Sequence, residues 1–471
     1  SDLNEAADAR VSLVMTSGNV SDEPIAYEDE VALERLAGIA DLFLLHDRPI
    51  ETRTDDSVVR ALGQAAPSAA SAPAAPAPMG PLLMRRSRGY VPAALPLPVE
   101  APSQVLACGA ELKNTFCLAK GGRAWVGHHI GDLENFETLS SFIEGIDHFQ
   151  RLFAVDPEVV AHDLHPEYLS TKYALEREGV RHVGVQHHHA HLAACLGEHG
   201  EAGPAIGAIY DGTGFGPDQT VWGGELLVGE LGGFRRAGML WPVRLPGGAA
   251  AIKEPWRMAC AWLVVASGTE EPPVPAALAG VVDERRWREV CELVRTGVAS
   301  PPTTSMGRLF DAVAAISGLR PRVSYEGQAA AELEAIADPA ESSSYPLSIV
   351  DAGAAPGSSE GEGEGMVLLD ARELVRSVRD DAAAGVPPAS ISARFHNAVA
   401  EGTARGCAVE AERRGLGLAV LSGGVFQNRL LLERTSERLA AAGLRVLIPR
   451  RLPPNDGGIS YGQAVVAAAS L

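Results

Sequence analysis

The sequence predicts an α/β protein whose larger part is a duplicated, two-lobed fold with a central cleft. Two observations carry that prediction. Residues 104–132 (QVLACGAELKNTFCLAKGGRAWVGHHIGD) read as a meander of strand, Gly-containing turn, strand, turn and strand. A helix near 137–152 follows, then strand, helix, strand and helix up to about 198. From residue 205 the same events begin again with AIGAIYDGTGFGPDQTVWGGELLVG, although no residue-level repeat is visible. Two such halves make lobes of about 104–204 and 205–471.

Ahead of them stand fewer elements. Residues 11–16 (VSLVMT) read as a buried strand running into the tight turn Ser17-Gly18-Asn19, followed by a short helix near 28–38 and a strand at 41–46 (DLFLLH). These are too few to close a domain, so the chain is expected to begin inside one. Two segments lack periodicity: 63–80, rich in Ala, Pro and Ser, reads as a flexible insertion, and 352–365 as a low-complexity surface loop.

The chain carries 60 acidic against 40 basic residues, a formal charge of −20, which argues against a protein built to grip nucleic acid. No apolar run approaches the roughly 20 residues of a membrane helix, and no signal peptide opens the sequence. The six cysteines form no CxxC pair, so reduced thiols in a cytoplasmic protein are expected.

Several strings carry chemistry. In Gln186-His187-His188-His189-Ala190-His191, the spacing of four puts His187 and His191 on one helix face, as a pair of metal ligands requires. The best third ligand is Asp456, an acid in a Gly-rich turn (PPNDGG) before the last helix. Asp211-Gly212-Thr213-Gly214 reads as a turn joining two strands, where backbone and Thr213 meet a phosphate and Asp211 positions a metal or water. A similar turn with Lys113 and Asn114 occupies the equivalent place in the first half. Gly423 and Gly424, with Asn428, follow an apolar strand and open a helix, a place where N–H groups meet a nucleotide. Arg85-Arg86-Ser87-Arg88 is a basic cluster suited to an anion. Lys253-Glu254 and Tyr325-Glu326 are unusual strings that spacing alone assigns no role.

Taken together these strings resemble the HypF carbamoyltransferases of nickel–iron hydrogenase maturation. TSGNVSDEPI (16–25), LLHDRPIETRTDDSVVR (44–60) and RRSRGYVP (85–92) are similar to the second half of that family's YrdC-like domain. VGHHIGDLEN (126–135), HDLHPEY (162–168), VQHHHAH (185–191), YDGTGFGPD (210–218), GRLFDAVA (307–314), YEGQAA (325–330), LSGGVFQN (421–428) and PPNDGGIS (453–460) are similar to its C-terminal domain, in the family's order.

The resemblance implies a YrdC-like segment over 1–98 and an actin/Hsp70/sugar-kinase type (ASKHA) transfer domain over 99–471. It implies that carbamoyl phosphate and ATP, with Mg2+, yield carbamoyl adenylate. The carbamoyl group then passes to the C-terminal cysteine thiol of a HypE-type acceptor. His187, His191 and Asp456 would hold one divalent metal, iron or zinc, and the DGTG and SGG turns the nucleotide. Ser17, Asn19, Arg86 and Arg88 would hold the adenylate in the YrdC-like part. No nucleic acid or membrane partner is implied. The family's acylphosphatase-like domain, zinc-finger cysteines and first half of the YrdC-like domain are absent from this sequence, so only the transfer step is expected to remain. The competing expectations are an O-carbamoyltransferase of small-molecule biosynthesis, a tRNA threonylcarbamoyl-adenosine synthase-like enzyme and a non-catalytic nucleotide-binding scaffold.

Overall fold

The computed structural model describes residues 15–20, 23–62, 80–351 and 365–471. The expected strand at 11–16 falls largely outside them, as do nearly all of the 63–80 and 352–365 segments. In the first segment a helix spans Asp29–Arg35, and strands β1 (Val58–Arg60) and β2 (Leu82–Arg85) pair antiparallel. The strand expected at 41–46 is not formed: no described segment pairs with it, and Leu42 and Leu44 are 90% and 100% exposed. A short apolar run makes a strand only where a neighbour takes up its backbone groups.

A four-stranded sheet follows, in the order β4-β3-β5-β6, from β3 (Leu95–Ala107), β4 (Cys117–Val126), β5 (Val159–Asp163) and β6 (Arg181–Val185). The turn expected within this stretch does not form at Lys120–Arg123: β4 runs on through Gly121 at φ +56°, and the extra residues of the irregular pairing lie on β3. The β4–β5 crossover is the helix Phe136–Phe153. Asn135 caps it by accepting the Thr138 N–H, and its buried Phe142, Ile146 and Phe149 lie on one face against Phe116.

The second sheet repeats the plan at larger scale. Strands β7 (Ala205–Phe215), β8 (Val221–Gly229) and β9 (Phe234–Leu240) form the meander, and the short β10 (Val243–Arg244) and β11 (Pro302–Thr303) attach at β8. With β12 (Ser348–Asp351), β13 (Val367–Asp370), β14 (Leu418–Ser422) and β15 (Arg445–Leu447), the order runs β12-β13-β9-β8-β7-β14-β15. The equivalence is topological. In each sheet the first strand is flanked by its antiparallel hairpin partner on one side and by a late parallel strand on the other, β4-β3-β5-β6 against β8-β7-β14-β15.

Each half ends in a helix, His187–Glu198 after β6 and Ile459–Ser470 after β15, and these two helices pack on each other. Gly462 makes the approach possible, because a Cβ there would overlap the carbonyl of Ala190. The last helix also packs on β3 and β4, which joins the two lobes along a seam beside the cleft between them. Among the described residues no helix is long and apolar enough to cross a membrane.

Candidate metal centre and adjoining cavity

The His-bearing helix starts directly at the end of β6. Gln186 caps it, its side chain accepting the His189 N–H, so the first turn already places His187 on the seam. His191 lies one turn on. The remaining two histidines face elsewhere: His189 Nε2 contacts the Glu230 carbonyl at 2.9 Å, and His188 packs on Trp222 and Gly214. Burial drives the His188 pKa well below 6.5 and holds the ring neutral.

Toward the seam, His187 Nε2 lies 3.7 Å from Asp211 Oδ2 and 3.6 Å from Asp456 Oδ1. His191 Nε2 lies 2.9 Å from Asp211 Oδ2 and 3.7 Å from Asp456 Oδ1. One donor atom from each of the four residues falls within 4.8 Å of the others. The two histidines come from the first half, Asp211 from β7 and Asp456 from the turn before the last helix. On its outer side His187 Nδ1 sits 2.8 Å from Asp163 Oδ2 at the end of β5.

These residues fit a metal ion. His187 Nε2 is buried with no hydrogen-bond partner among the described residues, although two carboxylates lie just beyond reach of it. Two imidazoles and two carboxylates are a donor set for zinc, iron or another borderline divalent ion. The electrostatics agree. Burial alone would raise Asp211, but the two imidazoles beside it, His187 at 3.7 Å and the hydrogen-bonded His191 at 2.9 Å, outweigh it and hold the carboxyl well below its usual range. Burial would lower His187, yet Asp456, Asp163 and Asp211 raise it well above 6.5. Two carboxylates this close require positive charge between them, from a proton in the metal-free protein or from a cation.

Beside the cluster opens a cavity of about 280 Å³. Asp211, Gly212 and Thr213 line it, with Gly424, Asn428, Asp456 and Lys113. The DGTG string is not the turn expected from sequence: β7 runs through it with a register shift between Tyr210 and Gly214, and the hairpin turns at Gly216–Thr220 instead. Three expected nucleotide residues do not face the cavity. Gly214 packs under the histidines, where a Cβ would overlap the His188 ring. Gly423, at φ +99°, lets the backbone cross Tyr210. Asn114 is buried and donates its amide to the carbonyls of Cys108 and Ala110.

The adenylate residues expected in the first segment also separate. Ser17 and Asn19 line a second, polar cavity of about 210 Å³ together with Arg85, His129 and Asp132. Arg86 is not available to an anion: it is 3% exposed and donates to the carbonyls of Val126, Tyr90 and Ala93. Its burial lowers the pKa to about 10. Arg88 points to solvent, donating to the Thr54 carbonyl beside Asp56. Arg85 is the member of that cluster that reaches a cavity.

Sequence reasoning missed several residues on the 280 Å³ cavity. Arg60 crosses from β1 to hold Glu334 through both η nitrogens, at 2.9 and 2.7 Å, and also donates to the Gln427 carbonyl. Glu326 pairs with Lys113 at 3.0 Å. Arg308 and Asp311 form a buried pair on the helix Met306–Ile316. The Glu326 and Arg308 strings stood out in the sequence, but nothing in them says which way the side chains face.

The family model described as "Carbamoyltransferase, Kae1-like Domain, second subdomain" matches residues 207–463. The HypF Kae1-like domain model matches 100–198, and the Sua5/YciO/YrdC model, described as "Telomere recombination", matches 2–68. Carbamoyltransferase HypF2 of Cupriavidus necator is 41% identical over 474 residues, covering 97% of this chain and 56% of that protein. A shorter protein of the same organism, described as a carbamoyltransferase HypF homolog, is 39% identical over 375 residues, 77% of this chain and 91% of its own length. A crystal structure of full-length HypF in the phosphate- and nucleotide-bound form superposes with a TM-score of 0.86 at 40% identity. It covers 96% of this chain and 56% of that one. The chain thus spans a little over half the length of the longer relatives it matches.

Proposed function

The chain belongs to the HypF carbamoyltransferase family, and from that membership we propose that it moves a carbamoyl group from carbamoyl adenylate to a cysteine thiol. The acceptor would be the C-terminal cysteine of a HypE-type partner in the cytoplasm, on the way to the cyanide ligands of a hydrogenase iron. The observation that carries the reading is the junction of the His187–His191–Asp211–Asp456 cluster with a cavity lined by Gly212, Thr213, Gly424 and Lys113.

Each group has work suited to that chemistry. A carbamoyl adenylate is a mixed anhydride with a good leaving group, so alignment and charge stabilisation account for most of what catalysis requires. The Gly212 and Gly424 backbone allows close approach of a nucleotide, and Lys113 brings positive charge to the cavity rim. Burial would depress the Lys113 pKa, but Glu326 and Asp456 raise it above the usual value, so the ammonium stays charged. Asp163 accepts from His187 Nδ1 and thereby leaves Nε2 as a lone-pair donor toward the cluster. His187, His191, Asp211 and Asp456 would hold a divalent ion, iron or zinc, which supplies Lewis acidity at the acyl phosphate when bound. The donor nucleotide would be carbamoyl adenylate, formed from carbamoyl phosphate and Mg2+-ATP in the full-length relatives' reaction sequence. The division into a YrdC-like segment over 1–98 and a transfer domain over 99–471 is part of the same reading.

The test is intact-mass analysis of an acceptor protein ending in cysteine, after incubation with the metal-loaded chain and carbamoyl adenylate. A single carbamoyl adduct on the terminal cysteine, lost in His187→Ala and Asp456→Ala, is the expected result. A folded, metal-loaded chain that leaves every acceptor thiol unmodified would overturn the reading.

A further inference from the structure

Three cationic side chains line the cavity beside the metal cluster among the described residues: Arg60, Lys113 and Arg308. Two of them already have hydrogen-bonded carboxylate partners. Arg60 is held by Glu334 through both η nitrogens, and Lys113 pairs with Glu326 at 3.0 Å. Arg308 differs. It is 3% exposed, and among the described residues its only ionic partner is Asp311, also 3% exposed, with Nε 2.9 Å from Oδ2. That contact is close but misaligned, so among the described residues neither Nε nor Asp311 Oδ2 has a hydrogen-bond partner, and nor does buried Nη1. A buried guanidinium with unmade hydrogen bonds is costly, and such groups in native proteins are normally satisfied by something.

The surroundings indicate what satisfies it. Ser305 caps the helix and donates to the carbonyls of both Asp211 and Gly212, while Gly307 sits directly against Gly212. This fixes Arg308 beside the DGTG segment: a Cβ built on Gly212 would lie 3.7 Å from Nη2, and 3.1 Å from Oε1 of Glu326, the partner of Lys113. The next residue back, Asp211, belongs to the metal cluster. An oxygen-rich ligand over Gly212 therefore lies between the guanidinium and the ion that the cluster fits, and is attracted from both sides. The other charged walls, Asp211, Asp456, Glu326 and Glu334, would repel an anion. A planar guanidinium matches phosphate oxygens well.

We propose that Arg308 is the anion-anchoring residue of this cavity, binding the phosphate of a nucleoside 5′-monophosphate or its acyl ester, with Asp311 as its positioning residue. The inference rests on the reading of this cavity as the nucleotide site and deepens it.

Calorimetric titration of AMP and of adenosine into the zinc-loaded chain separates the two claims, using wild type, Arg308→Gln and Arg308→Lys. Wild type is expected to prefer AMP. Arg308→Gln loses about tenfold or more of AMP affinity, the scale of a hydrogen bond to a charged group, while adenosine affinity stays put and reports an intact cavity. If Arg308→Gln fails to fold, Arg308→Lys decides: it keeps the charge but not the fork, and a reduced preference for AMP supports the assignment. An unchanged AMP preference in the folded variants overturns the role of Arg308 and leaves the nucleotide site standing. A wild-type chain that binds neither ligand overturns both.

Discussion

His187 and Asp163 meet at 2.8 Å through Nδ1 and Oδ2, both side chains essentially without solvent exposure. The pair joins the end of β5 to the first turn of the helix after β6, and it decides which imidazole nitrogen is free to bind an ion. Asp163→Asn removes the charge and lets the amide donate to Nδ1, which favours the opposite tautomer. Metal affinity is expected to fall by roughly 10- to 100-fold, measured by competition with a chromophoric chelator, with little change in far-ultraviolet circular dichroism.

The contact between Gly462 and Ala190 gives a second expectation. A Cβ at 462 would overlap the Ala190 backbone, so Gly462→Ala must push apart the helices that carry His187–His191 and follow Asp456. Overpacking of this kind costs about 1–3 kcal/mol. The expected result is a lower Tm together with weaker metal binding, because the same displacement spreads the ligand set. A variant as stable as wild type, with unchanged metal affinity, would show that the helices can shift independently of the site.

A third expectation concerns pH. His396 is buried, its Nδ1 2.7 Å from the Ser392 carbonyl and its Nε2 2.8 Å from the Asn428 amide nitrogen, and Asn428 caps the helix Arg429–Ala441. Burial lowers the His396 pKa to about 4. The folded state therefore binds fewer protons than the unfolded state between about 6.5 and 4, and stability falls as pH drops through that window. The effect reaches about 3 kcal/mol at most, from 1.36 kcal/mol per unit. His396→Gln is expected to flatten the decline of Tm between pH 6.5 and 4.5 relative to wild type; identical slopes would remove His396 from the account.

What was legible in the sequence divides along a physical line. The pair His187 and His191 was readable because helical spacing alone puts them on one face. Asp456 was readable because an acid in a Gly-rich turn before a helix has few structural reasons to be there. The duplicated architecture was readable from the order of elements. Asp211 was misplaced within its string, because glycines after a strand look like a turn, whereas β7 continues through them with a register shift. The same confusion produced a turn at Gly121, where β4 continues unbroken. Arg60, Glu334, Arg308 and Asp311 were not legible as one site. They meet from β1 and two separate helices, and only tertiary packing brings them to one cavity.

Metal removal tests the cluster independently of catalysis. Without an ion, Asp211 and Asp456 face each other across His187 and His191, and burial raises Asp456 above its ordinary value while the histidines hold Asp211 down. The cluster then depends on protons that solvent must supply. A bound divalent ion replaces them with fixed charge and gives His187 Nε2 its missing partner. Binding to the folded state alone stabilises it by RT ln(1 + [L]/Kd), about 2.7 kcal/mol at a hundredfold excess over Kd. Chelator-treated protein is therefore expected to melt several degrees lower than protein resupplied with zinc or ferrous iron. In Asp456→Asn that difference shrinks, because the site keeps three of its four donors and one carboxylate. If chelation leaves the Tm of the wild type unchanged and metal analysis finds no ion in protein resupplied with either metal, the four side chains form a proton-linked network rather than a metal centre.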